Sequence, residues 1–235
     1  MRVNDDLTET APHPVRGLSR CVTAMLALAG AAWLARAVWH IRLATAGEPL
    51  SGPPDQGDGM HRPLTGLENS YHLVSALGDV ATVLCALAFL AWLLRVRDNA
   101  RARSGQRPRY AWPWVYAGWV VPIANLWVPR GIVAEAHRAG DPEAPLPRVL
   151  NWWWGLWLVG SLSGAGLMYS DSTDAVVARA YTDVAPLLVS DAAVVGAAVT
   201  CALLVRAVTG KQERAGGEES RRRTAEPGVV DGATS

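Results

Sequence analysis

The chain has almost no lysine. Of its 22 basic residues Lys211 alone is lysine, and arginine supplies the rest. That reads as GC-rich coding and assigns no function. A net charge of +1 gives no broad basic field for nucleic acid, so no nucleic-acid partner is expected. Cysteine is scarce too. Cys21, Cys85 and Cys201 each lie in an apolar segment, and none belongs to a CxxC pair. They read as small buried hydrophobes, with neither a disulfide framework nor a zinc site. HExxH, Walker, GxSxG and SxxK signatures are all absent. At 160–164 the sequence GSLSG places Leu162 at the centre, which is no nucleophile elbow. His13, His61, His72 and His137 are scattered without ligand spacing. The expectation is a protein that is not an enzyme and carries no metal or cofactor.

What the chain has in plenty is apolar sequence. Half of its residues are hydrophobic. They gather in blocks of about 20, the length that crosses ~30 Å of hydrocarbon. Four spans are predicted, at 21–43, 71–94, 149–169 and 185–205, inside a membrane domain of 18–208. Residues 1–17, polar and holding Pro12 and Pro14, read as a disordered cytoplasmic N-terminus. Residues 209–235 read as a disordered cytoplasmic tail. Ala44-Thr45-Ala46 resembles a signal-peptidase site. The long polar leader and the full spanning length favour a retained helix.

Between the second and third spans lies WPWVYAGWVVPIANLWVPR, Trp112 to Arg130. It is apolar enough for a bilayer, but Pro113, Pro122 and Pro129 deny it an unbroken helix. It is expected to be a re-entrant or interfacial segment. Charge placement supports that. Arg95, Arg97, Arg101, Arg103, Arg107 and Arg109 follow the second span, and cytoplasmic loops carry such arginines. Acidic loops at 44–70 and 170–184 then lie outside, and both termini lie inside, if the segment does not cross. Nine of the eleven tryptophans also fall near the cytoplasmic face on this topology, where indoles anchor in the headgroups. A broken segment at membrane depth must be buried in protein or line a wet cavity. Asn125 either bonds its freed backbone groups or meets a ligand. Trp119, Pro122, Asn125, Trp127 and Pro129 are the segment's candidate residues.

The same stretch carries a resemblance. GWVVPIANLWVPR, preceded by WLLRVRDNA and followed by LNWWWGLWLVG, resembles the bacterial membrane family catalogued as domain of unknown function 4328. The closing VSDAAVVGAAVTCALLVRAVTGKQ is similar to that family's last helix. The resemblance covers roughly residues 20–212. It implies a multi-pass membrane protein and no particular activity. In sum the predicted fold is an all-α integral membrane protein of the plasma membrane, with four transmembrane helices and one Pro-broken segment.

Ionisable groups inside spans are costly and often functional. Arg36 and His40 lie in the first span, Asp79 in the second and Asp191 in the last. Arg36, Asp79 and Asp191 each fall roughly 10 Å below the outer boundary at ~1.5 Å per residue. Ser163 reaches a similar level. Three readings of this polar cluster stand open: an interhelical ion pair that fixes packing, a proton- or ion-responsive site, or side chains snorkelling to headgroups. Gly160 and Gly164 form a GxxxG suited to close helix packing. The loop from Arg95 to Arg109 is either a topology signal or a site for anionic lipid. The functional expectation is a non-enzymatic scaffold or regulatory membrane subunit with a protein partner or a homo-oligomer. The alternative is a small proton- or ion-linked transporter or channel using Arg36, Asp79 and Asp191.

Overall fold

The computed structural model describes residues 15–57, 59–104, 109–121, 123–138, 141, 143–165 and 172–225. Among the described residues it is all-helical, with no strand. Four longer helices carry the fold: α1 (Arg16–Ala46), α2 (Gly66–Ser104), α5 (Arg148–Ala165) and α7 (Val184–Ala225). Shorter ones join them: α3 (Trp114–Val120), α4 (Val128–Arg138) and α6 (Thr173–Thr182).

Local chemistry sets the helix ends. Gly47, at φ +74°, closes α1 by donating its N–H to the Leu43 carbonyl at 3.0 Å. A capping box opens α2. The Thr65 hydroxyl accepts from the Glu68 N–H at 3.3 Å, and the Glu68 carboxylate accepts from the Thr65 N–H at 2.7 Å. Ser172 caps α6 by accepting from the Ala175 N–H at 3.1 Å.

The four long helices alternate in direction. Trp33 donates to Thr82 at 2.8 Å and His40 meets Tyr71 at 3.0 Å, so α1 and α2 are antiparallel. Arg16 pairs with Glu213 and Arg36 with Asp191, so α1 and α7 are antiparallel as well. A Cβ added at Gly160 would come within 2.8 Å of Val194, and one at Gly196 within 3.1 Å of Leu156. These approaches set α5 antiparallel to α7. Gly160 thus fills the packing role expected of the GxxxG, while the surroundings of Gly164 lie outside the description. The lateral order is α2, α1, α7, α5.

This direction pattern brings the start of α1, the end of α2, the start of α5 and the end of α7 to one end of the bundle. The chain leaves α2 and enters α5 at that end. The segment from 112 to 130 therefore returns to the side it came from. Its helices α3 and α4 have 7 and 11 residues. At ~1.5 Å per residue neither reaches across ~30 Å. Val121 is extended (φ −75°, ψ 114°), as the residue before a proline tends to be. Pro122 itself lies outside the described residues. Pro129 sits in the first turn of α4, where its missing N–H costs nothing.

Several sequence boundaries need correction. The arginine block was expected to be a loop from 95, but α2 stays helical to Ser104. The tail expected to be disordered from 209 is helical as far as Ala225. The loop at 170–184 contains α6. Residues 1–14, 166–171 and 226–235 lie outside the described residues, and with them most of the expected disordered ends and the end of the third span.

Among the described residues three helices, α1, α2 and α7, are long and apolar enough to cross a membrane. Their outer faces keep large apolar side chains exposed, among them Leu34, Leu73, Leu77, Leu84 and Leu203. The tightest core lies at the arginine-rich end, where Trp92, Leu93, Val96, Ile132, Leu150 and Leu204 are fully buried. There Trp92 donates to Thr209 at 3.2 Å and Gln212 to the Val96 carbonyl at 2.9 Å, tying α2 to α7.

Candidate functional site

Two features stand out: a buried polar network toward one end of the bundle and an apolar cavity nearer the other. The network centres on Asp191 of α7, which has no exposed surface. Arg36 of α1 donates to its Oδ1 from Nε at 3.0 Å and from Nη2 at 2.5 Å. The guanidinium also stacks on Trp33, 3.7 Å from the ring centroid. One helical turn later His40 places Nδ1 2.9 Å from Asp191 Oδ2. Its Nε2 lies 3.0 Å from the Tyr71 hydroxyl of α2. Three helices are thereby joined through one carboxylate, one guanidinium, one imidazole and one phenol.

Of the five residues named from the sequence, the structure brings three together and leaves two apart. Arg36, His40 and Asp191 do meet. Asp79 is exposed on α2 and makes no hydrogen bond or ion pair with them. It follows Gly78, which packs toward Ala32, and one residue turns a helix by ~100°. Ser163 is exposed and donates to the Val159 carbonyl of its own helix at 2.6 Å. Tyr71 was missed. Its signal was the seven-residue spacing Tyr71, Gly78, Cys85, Trp92 on the face of α2 that turns inward.

A cap covers this end. Val177 and Ala180 of α6 are buried with Leu43 and Tyr71. The loop before α2 holds the cap down. Arg62 makes a two-pronged pair with Glu68, at 2.8 and 2.7 Å, and also donates to the Gly52 carbonyl at 2.7 Å. Tyr181 of α6 donates to Glu68 at 3.1 Å, and His61 pairs with Asp174 at 2.7 Å. The bond to Glu68 raises the Arg62 pKa. Burial, then the Glu68 charge and hydrogen bond, push the Tyr181 phenol up to about 12.

The cavity has a volume of about 250 Å³ and an almost wholly apolar lining. Its walls come from α1, α2, α5 and α7, including Leu26, Cys85, Phe89, Ala197 and Cys201. Trp119 of α3 closes one end, with Phe89 at 5.6 Å and Trp157 at 5.9 Å between ring centroids. Phe89 also meets Trp153 at 5.9 Å, which bridges α2 to α5. The indole N–H groups of Trp119 and Trp157 are buried without a hydrogen-bond partner.

Asn125 was read as either bonding freed backbone groups or meeting a ligand, and its Oδ1 is buried without a hydrogen-bond partner. Trp154 of α5 serves instead, donating to the Leu126 carbonyl at 3.2 Å. Of the tryptophans expected at headgroups, Trp92, Trp153 and Trp154 are buried core, whereas Trp112, Trp127 and Trp152 are exposed. Among the described residues no cluster of His, Cys, Asp and Glu is arranged to hold a metal.

An all-helical bundle with three helices fit to cross a membrane is the class this geometry defines. The chain belongs to the family described as Domain of unknown function (DUF4328), whose model matches residues 65–210. That stretch starts at the N-cap of α2 and ends within α7. It includes Tyr71, Asp191 and most of the cavity wall, and leaves out α1 with Arg36 and His40. No curated protein and no solved structure matches the chain.

Proposed function

We propose that this chain is a plasma-membrane protein that crosses four times, keeps both ends in the cytoplasm, and serves without catalysis as a scaffold or regulatory subunit. The observation behind it is the contrast between the two surfaces of the bundle. Its apolar side chains face outward in a belt, while the charges of Arg36 and Asp191 are matched inside the protein. A soluble protein rarely exposes so continuous an apolar surface. The arginine end, with Arg95, Arg101 and the exposed Arg214 and Arg221, then lies in the cytoplasm by charge. There the arginines following the second span meet anionic headgroups.

The test is purification of the full chain from native membranes after brief crosslinking. A stoichiometric partner or a defined homo-oligomer is expected. A chain recovered only as an uncrosslinked monomer across repeated preparations overturns the scaffold reading.

One observation favours a second reading. His40 stands between Asp191 and Tyr71, a row of proton-exchanging groups at membrane depth. That supports a proton-linked transporter built on Arg36, His40, Tyr71 and Asp191, with Asp79 outside the row. Folded Asp191→Asn and Asp79→Asn variants separate the versions. Loss of flux only in the former supports the row, and unchanged flux in both ends the transport reading.

A further inference from the structure

The apolar cavity has no role in either reading. We propose that it takes up part of one acyl chain of a bilayer phospholipid. The proposal rests on the membrane reading above.

Three observations carry it. The cavity is apolar, and an apolar cavity of ~150 Å³ already takes up small hydrocarbons. Its position makes lipid the neighbour. The helices pack in the order α2, α1, α7, α5, so α2 and α5 meet through long side chains such as Phe89 and Trp153 rather than by close backbone packing. Ala86 of α2 lines the cavity and is itself exposed. The exposed Val83, Leu84 and Leu87 continue the apolar surface along α2. Lastly, the depth suits a phospholipid. Phe89, in contact with Trp119, stands six residues before Arg95 on α2, or ~9 Å along the helix. That is close to the depth of the interfacial layer, the outer ~5–8 Å of each leaflet, where ester groups sit. The exposed Arg101, farther along α2, then lies at headgroup level.

The experiment uses the full chain in bilayer discs of phosphatidylethanolamine and phosphatidylglycerol, doped with a phosphatidylethanolamine carrying a diazirine on its acyl chain. One sample is irradiated in the disc. Another is washed in mild detergent until annular lipid is gone, then irradiated. Retained lipid is counted by native mass spectrometry and crosslinks are mapped by peptide. After washing, one phospholipid per chain is expected, crosslinked within residues 82–90 and 194–201. Ala86→Phe fills the mouth from an exposed position and is expected to abolish retention. Ala197→Leu fills the space from α7 and is expected to weaken retention as well. In the unwashed discs, peptides around Leu34 and Leu203 are labelled equally in all variants, which shows that they fold and insert.

Belt labelling without retained lipid overturns the acyl-chain site and leaves the membrane reading standing. Retention unchanged by Ala86→Phe overturns it as well, since the lipid is then bound elsewhere. Crosslinks from the cavity to another protein helix overturn it in favour of a protein occupant. Absence of labelling at Leu34 and Leu203 in the discs defeats the membrane reading itself.

Discussion

Removing either member of the Arg36–Asp191 pair strands the other charge in a site that water does not reach. Breaking one side of a buried pair costs about 3–5 kcal/mol, whereas replacing both with apolar groups is often neutral. Asp191→Asn is therefore expected to lower stability by about that amount, read from thermal unfolding in detergent. The double variant Arg36→Met with Asp191→Leu is expected to recover most of the loss. Equal damage in single and double variants would mean that the network is held by Tyr71 and His40 and not by the charge pair. Much of this site was legible. Depth along a helix follows from counting residues, and Arg36, His40 and Asp191 were placed together on that ground. Depth does not fix direction around the helix, and Asp79 failed there. Its neighbour Gly78 faces α1, while Asp79 turns outward.

At the scale of elements, the Pro-broken segment depends on its neighbours for its free backbone groups. Trp154→Phe takes this donor from the partly buried Leu126 carbonyl, and the loss of such a hydrogen bond costs about 1 kcal/mol. Asn125→Ala is expected to change stability far less, because the Asn125 Oδ1 has no partner to lose. Unfolding midpoints of the two variants decide the order. The docking of α4 is expected to depend on pH. Its His137 carbonyl accepts from Lys211 of α7 at 2.9 Å. Burial lowers the His137 pKa, and the charges of Lys211 and Arg138 lower it further. A group with a depressed pKa stabilises the fold fully above its unfolded value, ~6.5, and that contribution is lost as pH falls through the folded value. Amide exchange in α4, corrected for its intrinsic rate, is expected to speed up between pH 7.5 and 5. In His137→Gln that pH dependence disappears. The existence of this segment was plain from three prolines in an apolar stretch. The identity of its hydrogen-bond donor was hidden, because Trp154 approaches from a helix 28 residues away. The helix α6 was hidden differently. Its acidic residues were read as a topology signal, although Ser172 before Thr173-Asp174-Ala175 also fits a helix N-cap.

For the whole molecule, the side on which each end lies decides whether the buried network and the cavity occupy the depths argued for them. Hydropathy located α1, α2 and α7, because a spanning helix needs a run of apolar residues that sequence shows directly. It gave no account of how far α2 and α7 continue as helix beyond the bilayer. At ~1.5 Å per residue α7 is ~63 Å long, twice the hydrocarbon thickness. On the four-crossing reading its last turns stand clear of the bilayer, beside the start of α1 and the end of α2. With Cys21, Cys85 and Cys201 replaced by alanine, single cysteines at Ser172 and Arg221 report the two ends of the bundle. An impermeant thiol reagent on intact cells is expected to label Ser172→Cys and to spare Arg221→Cys until the cells are opened. That result leaves the segment from 112 to 130 on one side, as the return of the chain to the arginine end requires. It also places α6 outside as a cap over His40 and Tyr71. The reverse pattern keeps the four-helix geometry but inverts the molecule against its arginines. The cap then faces the cytoplasm, and the cavity draws its lipid from the outer leaflet. Labelling of both cysteines on intact cells is incompatible with the antiparallel pairing of α7 with α1 across a bilayer, and would remove the membrane-spanning role of α7.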